Sequence, residues 1–142
     1  MKIEKFVKRS PIVPILICSR NFEAALIAAI GDGGFSISEG LILATLFFEE
    51  RACRPSEIAK SLRISRSQMS QTLRRLENHE WIRRELSHES ARSINLFLTA
   101  KGKKVALKSI AAFEHLNQKV EKQLGDTSFE LLNKALGKLL PL

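Results

Sequence analysis

Apolar and polar positions recur along this chain mostly at helical spacing. Phe22, Leu26, Ala29 and Ile30 fall at i, i+4, i+7 and i+8, which predicts a helix from Ser19 ended by Gly31-Asp32-Gly33-Gly34. Upstream, Pro11 and Pro14 break any helix begun at Met1, so residues 1–19 are poorly specified. Ser36-Ile37-Ser38-Glu39 reads as a capping box before a strongly apolar helix (Leu41, Ala44, Leu46, Phe47, Phe48) running to about Glu50. After a break at 51–54, Pro55 suits the first position of a two-turn helix, 55–62, with Ile58, Ala59 and Leu62 inward. Ser65-Arg66-Ser67-Gln68 is a second capping box, opening a helix to about His79 with Met69, Leu73 and Leu76 as its inward stripe.

The period then changes. Residues 81–86 and 93–98 predict two short strands, with Ile94, Leu96 and Leu98 alternating on one face and a polar tip at 87–92. Thr99 caps a long helix to about Leu124, whose Ala106, Ile110, Phe113, Asn117, Val120 and Leu124 step by fours and threes, a seam for another helix. Gly125-Asp126 breaks it. Thr127-Ser128-Phe129-Glu130 reads as a third capping box, and Phe129, Leu132, Leu136 and Leu139 form the last stripe.

Charge sharpens this picture. The 142 residues carry a net charge of +8, and the whole excess lies in residues 51–104, where 13 Lys and Arg face five acids. A local excess of this kind is the footprint of a nucleic-acid binder. The helix 55–62, the turn Arg63-Ile64 and the next helix form a helix-turn-helix, which places its second helix in a DNA major groove. Ser65, Arg66, Ser67, Gln68, Ser70, Gln71, Arg74 and Arg75 lie on its solvent side. Arg suits guanine, Gln suits adenine, and Ser bonds to bases or phosphates. The hairpin is a wing: Arg92, with Ser90 and His88 beside it, suits a narrow minor groove. Arg83, Arg84, Arg54 and Ser56 suit phosphates, the last two beside free amides at the helix start. The fold class is mostly α with a small hairpin, in segments 1–34 (N-terminal segment and first helix), 35–104 (winged helix-turn-helix) and 105–142 (closing helices), one compact domain overall.

The segment from Ile37 to Leu140 resembles the MarR family of bacterial winged-helix regulators. The resemblance rests on Ser56-Glu57-Ile58-Ala59-Lys60-Ser61-Leu62, on the run from Ile64 to Glu77, on Trp81-Ile82-Arg83-Arg84 and Arg92, and on Leu98-Thr99-Ala100-Lys101-Gly102. It implies a homodimer that represses at palindromic operators of double-stranded DNA and is often released by a small aromatic or phenolic ligand or by oxidation. It also implies an interface from Ile12, Val13, Ile15, Leu16, Leu132, Ala135, Leu136, Leu139 and Leu140, and an effector pocket that Arg20, Phe22, Phe47 and Phe48 are placed to line, although these phenylalanines read more simply as core. Three positions depart from the family. Arg63 and Glu80 stand where Gly is usual, so a positive φ or a re-routed turn is expected at Arg63, and Ser90 replaces a wing acid.

Other chemistry is thin. Cys18 follows the apolar Ile15-Leu16-Ile17 and reads as a buried, inert thiol; Cys53 borders a loop. His79, His88 and His115 have no metal spacing, and no catalytic constellation or cofactor motif is present, which argues against an enzyme. A winged-helix protein-interaction module is the rival reading, though its expected apolar anchors are missing from the polar helix. The apolar stretches 12–18 and 24–30 are each too short to span a bilayer, and no signal peptide is evident, so a cytoplasmic protein without a membrane partner is expected.

Overall fold

The computed structural model describes residues 4, 7, 9–49, 51–87 and 90–140, with 87 and 90–92 as backbone only. Among the described residues the order is α1 (Ile12–Ile30), α2 (Ile37–Glu49), α3 (Pro55–Ser61), α4 (Arg66–Asn78), β1 (Ile82–Ser87), β2 (Ser90–Leu98), α5 (Ala100–Leu124) and α6 (Asp126–Leu139). The chain forms two compact units, one of residues 27–111 and the other of 1–26 with 112–142.

The unit 27–111 holds the core. Ile42, Leu43 and Leu46 of α2, Ile58 of α3, and Met69, Leu73 and Leu76 of α4 are buried with Phe35, Cys53, Trp81, Ile82, Leu96 and Ala106. Trp81 anchors it, with Phe35 edge-on at 6.4 Å and His79 stacked at 4.4 Å. The two capping boxes expected in this unit form: Glu39 N donates to Ser36 Oγ (3.3 Å) and Gln68 N to Ser65 Oγ (3.2 Å). β1 and β2 pair antiparallel, Ile82 opposite Leu98 and Arg84 opposite Leu96. Residues 51–54, a plain break by pattern, also pair: Cys53 bridges to Leu96, whose amide donates to the Cys53 carbonyl at 2.8 Å. One isolated residue has no period, so pattern alone could not reveal this third edge.

In the unit 1–26 with 112–142, three expectations are corrected. α1 begins at Ile12, not Ser19, because Pro14 falls in the first turn, where its missing N–H has no helical partner to lose; the Ile15 amide closes the turn on the Pro11 carbonyl at 3.2 Å. The two apolar stretches thus join into one helix that is long and apolar enough, by length and composition, to cross a membrane, with a mean hydropathy of 1.6. Finally, α6 begins at Asp126 after Gly125 (φ 76°), with the Phe129 amide on the Gly125 carbonyl, so Thr127 lies inside the first turn and the third capping box does not form. Only Leu26 and Ala112 are buried in this unit among the described residues, while Ile12, Leu16, Leu131, Leu136 and Leu140 are exposed.

Candidate nucleic-acid interface

The turn between α3 and α4 is a Schellman motif. The Ile64 amide donates to the Ala59 carbonyl at 2.9 Å and the Arg63 amide to that of Lys60 at 3.4 Å, with Arg63 at φ 54°. The positive φ expected from the missing glycine is therefore present. The end of α4 repeats it: Trp81 N donates to Leu76 O (2.9 Å), Glu80 N to Glu77 O (2.8 Å), and Glu80 has φ 60°. Each turn needs the left-handed region, where a Cβ crowds the following carbonyl.

α4 rises from this turn with one polar face. Ser65, Arg66, Ser67, Gln68, Ser70, Gln71, Arg74 and Arg75 are all exposed, while Met69, Thr72, Leu73 and Leu76 are buried. Gln68 is partly occupied, because its Oε1 accepts from Ser65 N (3.3 Å) and Ser65 Oγ (3.0 Å). Arg75 is engaged too, its Nε lying 3.0 Å from Oε1 of the buried Glu39. Arg66 and Arg74 have no ion pair among the described residues.

The wing arginines are paired. Arg84 meets Glu77 of α4 with Nε–Oε1 at 2.6 Å and Nη2–Oε2 at 2.7 Å, tying β1 to α4. Arg83 pairs with Glu85 and lies over the Phe97 ring at 5.0 Å. His88 lies outside the described residues, and of Ser90 and Arg92 only the backbone, in β2, is described. At the start of α3, Arg54 and Ser56 are exposed. The Arg54 amide donates to Glu57 at 3.0 Å, and that bond, with the charge of Arg51, holds the Glu57 carboxyl below its ordinary range.

A helix-turn-helix bearing such a face, followed by a hairpin, is a winged helix, and comparison with known proteins agrees. Residues 35–94 match the model of the MarR family. The fold is similar to that of Staphylococcus aureus MepR in a DNA complex (TM-score 0.85, 21% identity, 94% of this chain and 96% of that one). It is similar to the transcriptional regulator SlyA (0.82, 19%, 93% and 93%) and to a MarR variant from E. coli complexed with operator DNA (0.81, 19%, 96% and 98%). A comparison with curated proteins yields no match.

The Leu-Thr-x-x-Gly stretch that carried the MarR resemblance has a structural reason. Thr99 Oγ1 donates to the Glu80 carbonyl (2.6 Å) and accepts from the Gly102 amide (2.9 Å), capping α5 while holding the turn after α4. In this winged-helix core a cavity of about 570 Å³ lies at the root of the wing, lined by Leu46, Phe47, Arg51, Ala52, Arg83, Leu96, Phe97, Leu98 and Lys103. Of the residues the sequence placed at an effector pocket, Phe47 lines this cavity. Phe48 (67% exposed) and Phe22 are on the surface and not in a core, since α2 ends and α1 lies largely uncovered there. Cys18 is exposed too, contrary to expectation, because α1 has few neighbours to bury it; the buried thiol is Cys53, and burial pushes its pKa up.

Proposed function

We propose that this protein is a sequence-specific double-stranded DNA-binding transcriptional regulator, a homodimeric repressor of palindromic operators that a small ligand releases. The observation that carries the reading is the exposed row on α4, free of acids from Arg66 to Arg75, set behind a Ser65 cap. Arg66, Ser67, Ser70 and Gln71 read bases, Gln68 does so by giving up its capping bond, and Arg74 holds a phosphate. The wing, with Arg92, enters the minor groove.

A second copy of the chain is the partner that suits the uncovered helices. Ile12, Ile15 and Leu16 of α1 and Leu132, Leu136 and Leu139 of α6 are exposed, an apolar area that water does not tolerate well. Arg20 and Glu23 in the middle of α1 argue for a protein partner over lipid. Two-fold symmetry then sets the recognition helices one DNA turn apart, ~34–36 Å, or a multiple of it. The cavity at the wing root, with Phe47 and Phe97 on its walls and Arg51, Arg83 and Lys103 at hand, suits a small aromatic effector bearing an acidic group.

The test is fluorescence anisotropy on a palindromic duplex from upstream of the protein's own gene and on a scrambled duplex, from 50 to 200 mM salt. With about eight phosphates neutralised, log K falls against log salt with a slope near −7. A preference of ~10³ for the native duplex, kept as salt rises, is the expected result. Equal, salt-labile binding to both would remove the operator, and no binding to either would turn the reading to a protein-interaction module.

A further inference from the structure

One cation on the polar face of α4 already has a partner, and that partner is the most buried carboxylate in the winged helix among the described residues. The Glu39 side chain is 6% exposed; its Oε2 accepts from the Ser36 amide at 2.7 Å, closing the cap of α2, and its Oε1 lies 3.0 Å from Arg75 Nε. The acid lies where one face of α2 packs closely: a Cβ at the neighbouring, buried Gly40 would come within 3.2 Å of Ser109 Cβ and 3.1 Å of the Phe35 ring. A carboxylate removed from water is costly unless opposite charge and hydrogen bonds offset the loss. The Ser36 amide supplies one bond, and Arg75, reaching in from the surface with 58% of its side chain exposed, supplies the charge.

We propose that Arg75 is a positioning residue: latched to Glu39, it fixes the rotation of α4 about its own axis and thereby the angle at which Arg66, Ser67, Gln68, Ser70 and Gln71 are presented. This rests on the reading of α4 as the DNA-reading helix. Side-chain tips stand ~5–6 Å from a helix axis, so a twist of about 20° displaces them by ~2 Å. That exceeds what a hydrogen bond to a base edge tolerates. The core stripe holds α4 down, and the Glu77–Arg84 pair ties its far end to β1. The latch joins α4 to α2, an element neither of those ion-pair partners belongs to. Arg75 is consequently spent on the protein and does not neutralise a phosphate.

The test compares Arg75→Gln, Arg75→Lys, Glu39→Gln and the Glu39→Gln/Arg75→Gln double variant with the unaltered chain. Amide hydrogen exchange of α4 is measured on the free protein. Salt-dependent anisotropy uses a duplex of about 30 bp, roughly three turns, recovered by selection from a randomised pool, and its scrambled counterpart. Arg75→Gln is expected to speed α4 exchange about tenfold and to cut the preference for the selected duplex about tenfold. The salt slope on the scrambled duplex stays unchanged. Arg75→Lys restores part of both losses, Glu39→Gln repeats the pattern, and the double variant is no worse than the worse single one. A slope that drops by about one per protomer with exchange unaltered would overturn the proposal, since Arg75 would then be a phosphate contact. Tighter binding of Glu39→Gln to the scrambled duplex would do the same, by revealing a freed cation. If Glu39→Gln does not fold, the two surface variants at Arg75 decide. Because exchange needs no DNA, failure of the unaltered chain to bind overturns only the DNA reading and leaves the latch to its own result.

Discussion

Gly102 lies against the carbonyl group of Trp81: a Cβ built on it would stand 2.7 Å from the Trp81 carbonyl carbon and 3.1 Å from its Cα. The neighbour is backbone, and that backbone accepts the Thr99 amide at 3.0 Å, so it has little room to give. Gly102→Ala is expected to cost about 3 kcal/mol or more, at the top of the range for overpacking. Urea denaturation measures it, and a loss below ~1 kcal/mol would show that the turn after α4 moves aside.

Arg63 and Glu80 hold the left-handed position of two Schellman turns with a side chain present, at φ 54° and φ 60°. Glycine removes a conformational cost of about 1–2 kcal/mol at each, and gives back part of it through the freer unfolded chain. Arg63→Gly and Glu80→Gly are each expected to gain ~0.5–1 kcal/mol, or about 2–3 °C in melting temperature. The Glu80–Lys101 pair lost with the second, 3.6 Å long and exposed, is worth little. Thermal melts of the two variants check this, and a lowered melting temperature at either position would mean that its side chain earns its place by a contact.

These turns mark the boundary of what was legible in the chain. The helices announced themselves through period and caps, as Ser36-x-x-Glu39 and Ser65-x-x-Gln68 illustrate, because both signals are local. The positive φ at Arg63 was legible through the absence of an expected glycine. Non-local chemistry was not. The Cys53–Leu96 bridge joins residues more than forty apart, and the pairing of Arg75 with Glu39 and of Arg84 with Glu77 leaves no periodic signal in the sequence. The start of α1 is not legible from Pro14, because a proline that breaks a helix interior is harmless in its first turn. The exposure of Cys18 and Phe48 escaped because apolar character states a preference for burial and not what is available to supply it.

The two thiols are expected to behave oppositely. Cys53 is buried, its Sγ donates to the Arg51 carbonyl at 3.5 Å, and desolvation raises its pKa above the usual 9.0, so at neutral pH its thiolate is scarcer than that of a free cysteine. Iodoacetamide at pH 7 should modify exposed Cys18 and spare Cys53 until the fold opens. The sign for stability follows from the same shift: the folded state holds the proton more tightly, so this contribution is intact below pH 9.0 and is lost as the pH rises through the folded pKa. Replacing Cys53 by Ala should remove that alkaline loss. Rapid alkylation of Cys53 in the native protein would contradict the burial argument.

Arg74 and Arg84 separate a free cation from a paired one. Arg74 is exposed on α4 without an ion pair among the described residues, whereas Arg84 is held by both oxygens of Glu77. A guanidinium that neutralises a phosphate releases counterions and contributes about one to the salt slope; one that already neutralises a carboxylate contributes much less. Arg74→Gln is therefore expected to lower the slope by about one for each protomer and to weaken binding to selected and scrambled duplexes alike. Arg84→Gln leaves Glu77 without its partner, so it should loosen the joint between α4 and β1 and lower stability by ~1 kcal/mol, with less than half that change in slope. Anisotropy between 50 and 200 mM salt, with a thermal melt of each variant, reads both quantities. Equal slope losses for the two variants would mean that Arg84 leaves Glu77 for the phosphate on binding, and that the joint between α4 and β1 opens when DNA arrives.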